Sequence, residues 1–320
     1  MSQNITAQHR EHLRASGLSD IVIDLCGAYS ALAQQVSELV GFEVTSGGIV
    51  FPYAEDYARI RLDEPIKKKF SKPAKYICPV RSGNKLYIPA NFQPDSSLLI
   101  ITEGEKKALK ACQEGLPCIG TAGVWSWKSR NEHAEKQNDA DGLLKDFGEV
   151  DFRGVATVAL IYDSDIVQTH PAWDAYPRLA EQLYARGAKT IKILSLPSII
   201  SEDEKTGLDD FLLRRTKEEL LKLIQDAPVW IPWRDGVQGF AMPRIDKAAA
   251  EMKRTGSGEP AYWDSTLQAL CAMALRAETE FARGKAILTA TGVAYDKAAI
   301  NKHIKTLAAE FRARQEQSGV

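Results

Sequence analysis

The sequence predicts an α/β protein built on a parallel sheet. Three observations carry that expectation. First, from about residue 97 apolar runs alternate with helical segments: SLLIIT, EKKALKACQEG, PCIGTAG, VATVALIY, AYPRLAEQLYARG, KTIKILSL and GLDDFLLRRTKEELLKLI. Such alternation implies crossover helices between parallel strands. Second, carboxylates gather at strand ends: Glu103 in "LLIITEGEKK", Asp163 and Asp165 in "VALIYDSDI", and Asp209 and Asp210 in "GLDDFL" after the fourth run. Third, 44% of the 320 residues are hydrophobic, so the chain can fill a real core and is long enough for two or three domains.

Along the chain, residues 1–40 place Leu13, Leu18, Ile21, Ile23 and Leu25 at helical spacing, and "ASGLS" supplies a helix stop and a serine cap. "GGIVFPY" and "YARIRLD" read as short strands. "IKKKFSKPAKYICPVRSGNK", 66–85, holds seven Lys or Arg and no acid, and "SGNKLYIP" reads as a turn into a strand. After "DAPVWIPW" the strands stop. Residues 243–320 read as helical, the last helix carrying Ile300, Ile304, Leu307 and Phe311 on one face. The expected division is an N-terminal α+β domain, 1–95, an α/β domain, 96–228, and a mostly helical domain, 229–320.

The net charge of −1 excludes a global basic field, so any nucleic-acid binding must use local patches. The five cysteines (26, 78, 112, 118, 271) form no Cys-x-x-Cys pair and fit reduced thiols in a cytoplasmic compartment. There is no apolar signal region at the N-terminus and no run of 18 apolar residues, so no membrane association is expected. His133 and His170 lie in polar segments without a partner at metal spacing and are taken as surface residues.

In a parallel sheet Glu103, Asp163 and Asp165 fall on one edge, where α/β proteins bind ligands. Alternate residues of an extended segment point the same way, so Asp163 and Asp165 can face one site together. Carboxylates packed this closely repel, and a bound Mg²⁺ or Mn²⁺ removes the conflict. On that basis Asn at 163 or 165 should leave the metal-free fold no less stable. A lone Asp-x-Asp after a strand is a common loop feature; three clusters on one sheet are harder to assign to chance.

These motifs resemble the TOPRIM domain of bacterial-type primases, topoisomerases and some nucleases. "TEGEKKA" is similar to the family's first-strand glutamate motif and "DSD" to its Asp-x-Asp, while "GLDDFL" is similar to the acidic motif that follows in primases. The resemblance covers about residues 97–215. It implies a TOPRIM core with a Rossmann-like parallel sheet, Glu103 as the acid-base or metal-linked residue, Asp163 and Asp165 as metal ligands, and Asp209 and Asp210 as further candidates. Upstream, "KYICPVRSGNKLYIP" is similar to the basic template-binding region of those primases. The overall likeness is to primase-like proteins of phages and plasmids. The family's N-terminal zinc module has no counterpart here, and no G-x-x-x-x-G-K-[ST] helicase motif occurs.

The basic stretch offers Lys67, Lys68, Lys69, Lys72, Lys75, Tyr76, Arg81 and Lys85 to a single strand, cations on phosphates and rings on bases; a solvated loop is the plain alternative. Gly120 and Gly123 in "IGTAGVWSWK" can bring backbone amides to a nucleotide phosphate, with Trp125 and Trp127 expected in the core. Lys106 and Lys107 either reach a triphosphate or form a solvated helix face. Together these features imply a primase-like nucleotidyltransferase of mobile-element DNA replication. Its partners would be single-stranded DNA, nucleoside triphosphates and a separate replicative helicase. A TOPRIM nuclease and a non-catalytic DNA- or partner-binding module remain open alternatives.

Overall fold

A computed structural model describes residues 4–54, 57–68, 71–129, 137–139, 142–166, 172, 175–200, 204–227, 229–230, 242–276 and 278–317. Lys69, His133 and His170 lie outside the described residues, as do the side chains of Lys68, Lys72 and Phe311. The protein is mixed α/β and divides into two compact units. One comprises residues 1–151, 159–175 and 194–225, the other 152–158, 176–193 and 226–320, so the division falls inside the 96–228 segment.

The first unit opens with helices α1 (Ala7–Arg14) and α2 (Asp20–Leu25). Thr6 caps α1 by accepting from His9 N–H, and Ser19 caps α2 by accepting from Val22 N–H, as the "ASGLS" stop requires. Then come β1 (Tyr29–Ala31), which helical spacing concealed, α3 (Ala33–Val40), β2 (Gly48–Ala54), β3 (Tyr57–Lys68) and β4 (Ser71–Ile77). They form an antiparallel sheet in the order β1-β2-β3-β4. The basic stretch is therefore largely hairpin rather than loop: β3 runs on through Lys67 to Lys68, and β4 carries Lys75 and Tyr76. Two register shifts in the β3–β4 ladder mark its irregularity.

The second sheet holds β5 (Leu86–Tyr87), β6 (Leu98–Glu103), β7 (Cys118–Thr121), β8 (Thr157–Tyr162) and β9 (Thr190–Ser195) in the order β5-β7-β6-β8-β9. β6 and β7 are parallel, with Glu103 opposite Thr121, but β5 runs antiparallel to β7. An edge strand of reversed sense is common on an otherwise parallel sheet. Helix α4 (Glu105–Gln113) follows β6 directly, and α5 (Ala175–Ala185) follows β8. The run expected as one helix, "GLDDFLLRRTKEELLKLI", is two: α6 (Leu208–Arg214) and α7 (Lys217–Asp226). Thr216 interrupts it by capping the second, its Oγ1 accepting from Glu219 N–H.

One apolar core of this unit joins Leu13, Ile23, Phe51, Ile100, Leu109, Ile161 and Phe211, and a second joins Val36, Val40, Ile60 and Leu62. Residues at i and i+4, such as Ala108 and Cys112, turn one stripe of α4 inward, against α6 and β7.

His12 of α1 gives this unit an acid sensitivity. Burial, reinforced by the cations Arg61 and Lys106, lowers its pKa from 6.5 to about 4. The unfolded chain takes up this proton below pH 6.5; the folded chain does not until about pH 4. Stability is therefore full above pH 6.5 and falls as pH drops through that window. Urea midpoints at pH 7 and pH 4.5 should show a smaller loss for His12→Gln than for the unsubstituted chain.

The second unit contains α8 (Met242–Thr255), α9 (Asp264–Arg276), α10 (Glu278–Thr289) and α11 (Lys297–Gln317). Its core includes Ile245, Met252, Leu270, Met273 and Leu288, with Ile300 and Ile304 buried and Leu307 packed against it. The apolar stripe read from the sequence is the packing face of α11. Among the described residues, no helix is long and apolar enough to cross a membrane.

Candidate active site

The candidate site is assembled at the ends of β6 and β8. β6 is buried up to Thr102, and Glu103, half-buried, stands at its tip. Gly104 turns the chain into α4 at φ +101°, a conformation open to glycine and strained for other residues. β8 ends at Tyr162, and Asp163 follows, buried to 3% side-chain exposure. Lys107, one helical turn past Glu103, reaches across with Nζ 2.6 Å from Asp163 Oδ2. This contact shows that the two strand tips lie on one edge.

A second lysine completes the pairing. Lys205 Nζ lies 2.7 Å from Asp163 Oδ2 and 3.4 Å from Asp165 Oδ1. Burial alone would lower the Lys205 pKa, but Asp163, Asp165 and Glu103 outweigh it and raise the pKa. The expectation of uncompensated repulsion among the carboxylates thus fails, because two ammonium groups already neutralise Asp163. Its other oxygen, Oδ1, is buried with no hydrogen-bond partner among the described residues.

Asp209 and Asp210 divide their tasks. Asp209 is buried, with Lys106 Nζ 3.8 Å away; burial raises its pKa against the opposing pull of Lys106 and Lys107. Asp210 Oδ2 accepts from Gly207 N–H at 3.1 Å, closing the N-terminus of α6. Lys106 also donates to Ser16 Oγ at 2.6 Å, and burial lowers its pKa. Both lysines offered to a triphosphate are thus engaged with carboxylates.

Among the described residues, no three His, Cys, Asp or Glu side chains converge to hold a metal ion. The donor set nevertheless fits Mg²⁺ or Mn²⁺. Asp163 and Asp165 share one cation already, and Asp163 keeps an orphaned oxygen. Mg²⁺ is usually held by one or two carboxylates with waters and substrate phosphates, not by a closed protein cage.

A cavity of about 380 Å³ opens between the segment after β4 and the loop after β7. Arg81, Asn84, Trp125, Ser126 and Lys128 line it, with no acidic residue among the described residues of its lining. Trp127 is buried as expected, whereas Trp125 forms part of the cavity wall. Arg81 adopts φ +59°, rare for a side-chain-bearing residue. Gly120 serves packing: a Cβ there would sit 3.0 Å from the Gly104 carbonyl oxygen. A Cβ at Gly123 would meet Ser126 Oγ at 3.4 Å.

In the basic hairpin Lys67 and Lys75 are exposed. Lys85 Nζ lies 3.9 Å from Asp146. The Tyr76 ring carries the Arg59 guanidinium 4.3 Å from its centre, and burial pushes its pKa up to about 12. One face of that ring is therefore occupied by protein. Arg59 in turn pairs with Glu105, at 3.0 and 3.2 Å from the two carboxylate oxygens, and Tyr53 OH donates to Glu105 at 2.6 Å. Neither this network nor Lys205 was singled out from the sequence.

The family described as "Domain of unknown function (DUF3854)" matches residues 92–219, a span that contains Glu103, Asp163, Asp165, Asp209 and Asp210. No curated protein matches the chain. Similar solved structures include three at low identity. A DnaG primase catalytic domain bound to ssDNA shares 16% identity over 91% of each chain, with a TM-score of 0.47. A DNA primase domain from Pseudomonas aeruginosa shares 15% over 93% of this chain and 91% of that one, with a TM-score of 0.45. The RNA polymerase domain of Mycobacterium tuberculosis primase DnaG shares 13% over 87% and 90%, with a TM-score of 0.43.

Proposed function

We propose that this chain is a primase-like nucleotidyltransferase with a TOPRIM-type core, joining nucleotides on a single-stranded DNA template. One observation carries the proposal. The tips of β6 and β8 share one edge, where Asp163 and Asp165 hold one ammonium group that also feels the charge of Glu103, while a buried Asp163 oxygen lacks a partner among the described residues.

In this reading Asp163 and Asp165 hold the divalent cation, with Asp209 in reserve behind Lys106. When bound, that cation neutralises charge on the phosphoryl group and orients the attacking hydroxyl. Glu103 accepts the proton of the strand's 3′-hydroxyl as that oxygen bonds to the α-phosphate of a nucleoside triphosphate and pyrophosphate departs. Lys107, fixed on α4, places positive charge at the same edge. The cavity beside β7 is large enough for a base, and its indole wall and two cations suit a nucleotide. Lys67, Lys75 and Arg81 line the route of the template.

The direct test incubates the protein with single-stranded DNA, labelled nucleoside triphosphates and Mn²⁺. New short oligonucleotides that disappear in Glu103→Gln support the proposal. Degraded template would establish a nuclease, and DNA binding without either product a non-catalytic module.

The template route has its own test. Replacing Lys67, Lys75 and Arg81 together by Ala should weaken single-strand binding and flatten its salt dependence. Each lost phosphate contact reduces the slope of log K against log salt by about 0.7. An unchanged slope removes these residues from the interface.

A further inference from the structure

Ser164 and Thr206 are tied to each other twice. Ser164 N–H donates to the Thr206 carbonyl at 3.1 Å, and Thr206 N–H donates to Ser164 Oγ at 2.8 Å. Thr206 is fully buried, and its Oγ1 accepts from Ile199 N–H at 3.1 Å. Ser164 is the middle residue of Asp163-Ser164-Asp165, and Thr206 follows Lys205. This clamp fixes Lys205 opposite the carboxylate pair whatever its side chain does.

The two lysines on Asp163 are unlike. Lys107 is 16% exposed and rises from α4, so its ammonium stays in place. The Lys205 side chain is 47% exposed and can swing into water while its backbone remains clamped. Its ammonium bridges Asp163 and Asp165, the position a cation shared by the two carboxylates must take. Like charges cannot share that position at close range.

We propose that Lys205 is a displaceable internal counter-ion: it occupies the cation position between Asp163 and Asp165, and a divalent metal enters only by exchanging with it. Lys205 thus sets the metal affinity of the site and holds the carboxylates in place before metal arrives. This inference rests on the metal-binding reading of Asp163 and Asp165 given above.

The test measures Mn²⁺ binding by calorimetry on the full chain at fixed pH and ionic strength, without substrate. Lys205→Met keeps the stem and removes the charge; it should bind Mn²⁺ about tenfold more tightly or better. Lys205→Arg should not gain affinity, and Asp163→Asn should lose binding. A second measurement needs no variant: acetylation of Lys205 by acetic anhydride, read by mass spectrometry, should rise when Mg²⁺ saturates the unsubstituted chain. If Asp163→Asn loses Mn²⁺ while Lys205→Met gains nothing, or Lys205 labelling ignores Mg²⁺, the counter-ion exchange is wrong and the metal site stands. If Asp163→Asn binds Mn²⁺ as the unsubstituted chain does, the metal reading falls, and the exchange with it.

Discussion

Asp163→Asn is expected to lower the stability of the metal-free protein by about 2–4 kcal/mol and to abolish Mn²⁺ binding. Asp163 is buried and holds two ammonium groups on one oxygen, at 2.6 and 2.7 Å. Asn preserves the shape but leaves Lys107, mostly buried, without its counter-charge, and leaves Lys205 with Asp165 alone. Removing one partner of a buried ion pair costs more than the pair contributes, because the remaining charge stays desolvated. Asp165→Asn makes the informative contrast. Asp165 is half exposed, its nearest cation is 3.4 Å away, and its loss should change apo stability by no more than about 0.5 kcal/mol. Urea unfolding of both variants without metal, beside Mn²⁺ titrations, checks the pair. Equal stability for Asp163→Asn and the unsubstituted chain would show that the lysines do not compensate Asp163 in solution.

Arg59→Met is expected to cost about 3–5 kcal/mol. Glu105 is 1% exposed, and its carboxylate is satisfied by Arg59 and Tyr53. Without the guanidinium, a charge remains buried at the first turn of α4, and Tyr76 loses the cation on its ring. The double variant Arg59→Met/Glu105→Gln should be no less stable than Arg59→Met alone, since Gln carries no charge and still accepts from Tyr53. Strictly additive losses in that cycle would mean that the two side chains do not interact. Because Glu105 lies two residues beyond Glu103, the single variant should also lower activity, even at temperatures where it remains folded.

What was legible in the sequence had a local signature. Apolar runs ending in one acid located β6 and β8 and placed Glu103, Asp163 and Asp165 on a common edge, because strand direction and crossover geometry fix which ends meet. Ser19 as a cap and Ile300 with Ile304 as a packing stripe were readable for the same reason. Lys205 was not, because its partners lie about 40 residues away and nothing in "EDEKTGLDD" separates it from a solvated lysine. Arg59 and Glu105 pair across 46 positions, and neither stands in an unusual local context. For the basic stretch the solvated loop was only the plain alternative to strand binding, and its backbone was not legible: β3 and β4 keep Lys67, Lys68, Lys72 and Lys75 in extended backbone by pairing with each other. Tyr76 looked free to stack on a base, and only the fold brings Arg59 over its ring.

Among the described residues β4 is the last strand of its sheet, so one row of its backbone groups has no neighbouring strand there. Such rows invite other chains to add on and aggregate. Pro73 removes one N–H from that strand, and exposed Lys75 places charge on it. The same hairpin that we propose offers charge to a template would therefore also guard the protein against association with copies of itself. Neutralising its lysines to study DNA binding carries a second consequence: the variants should be sized by light scattering at working concentration, because a gain in oligomers would report an unprotected edge rather than a lost DNA contact.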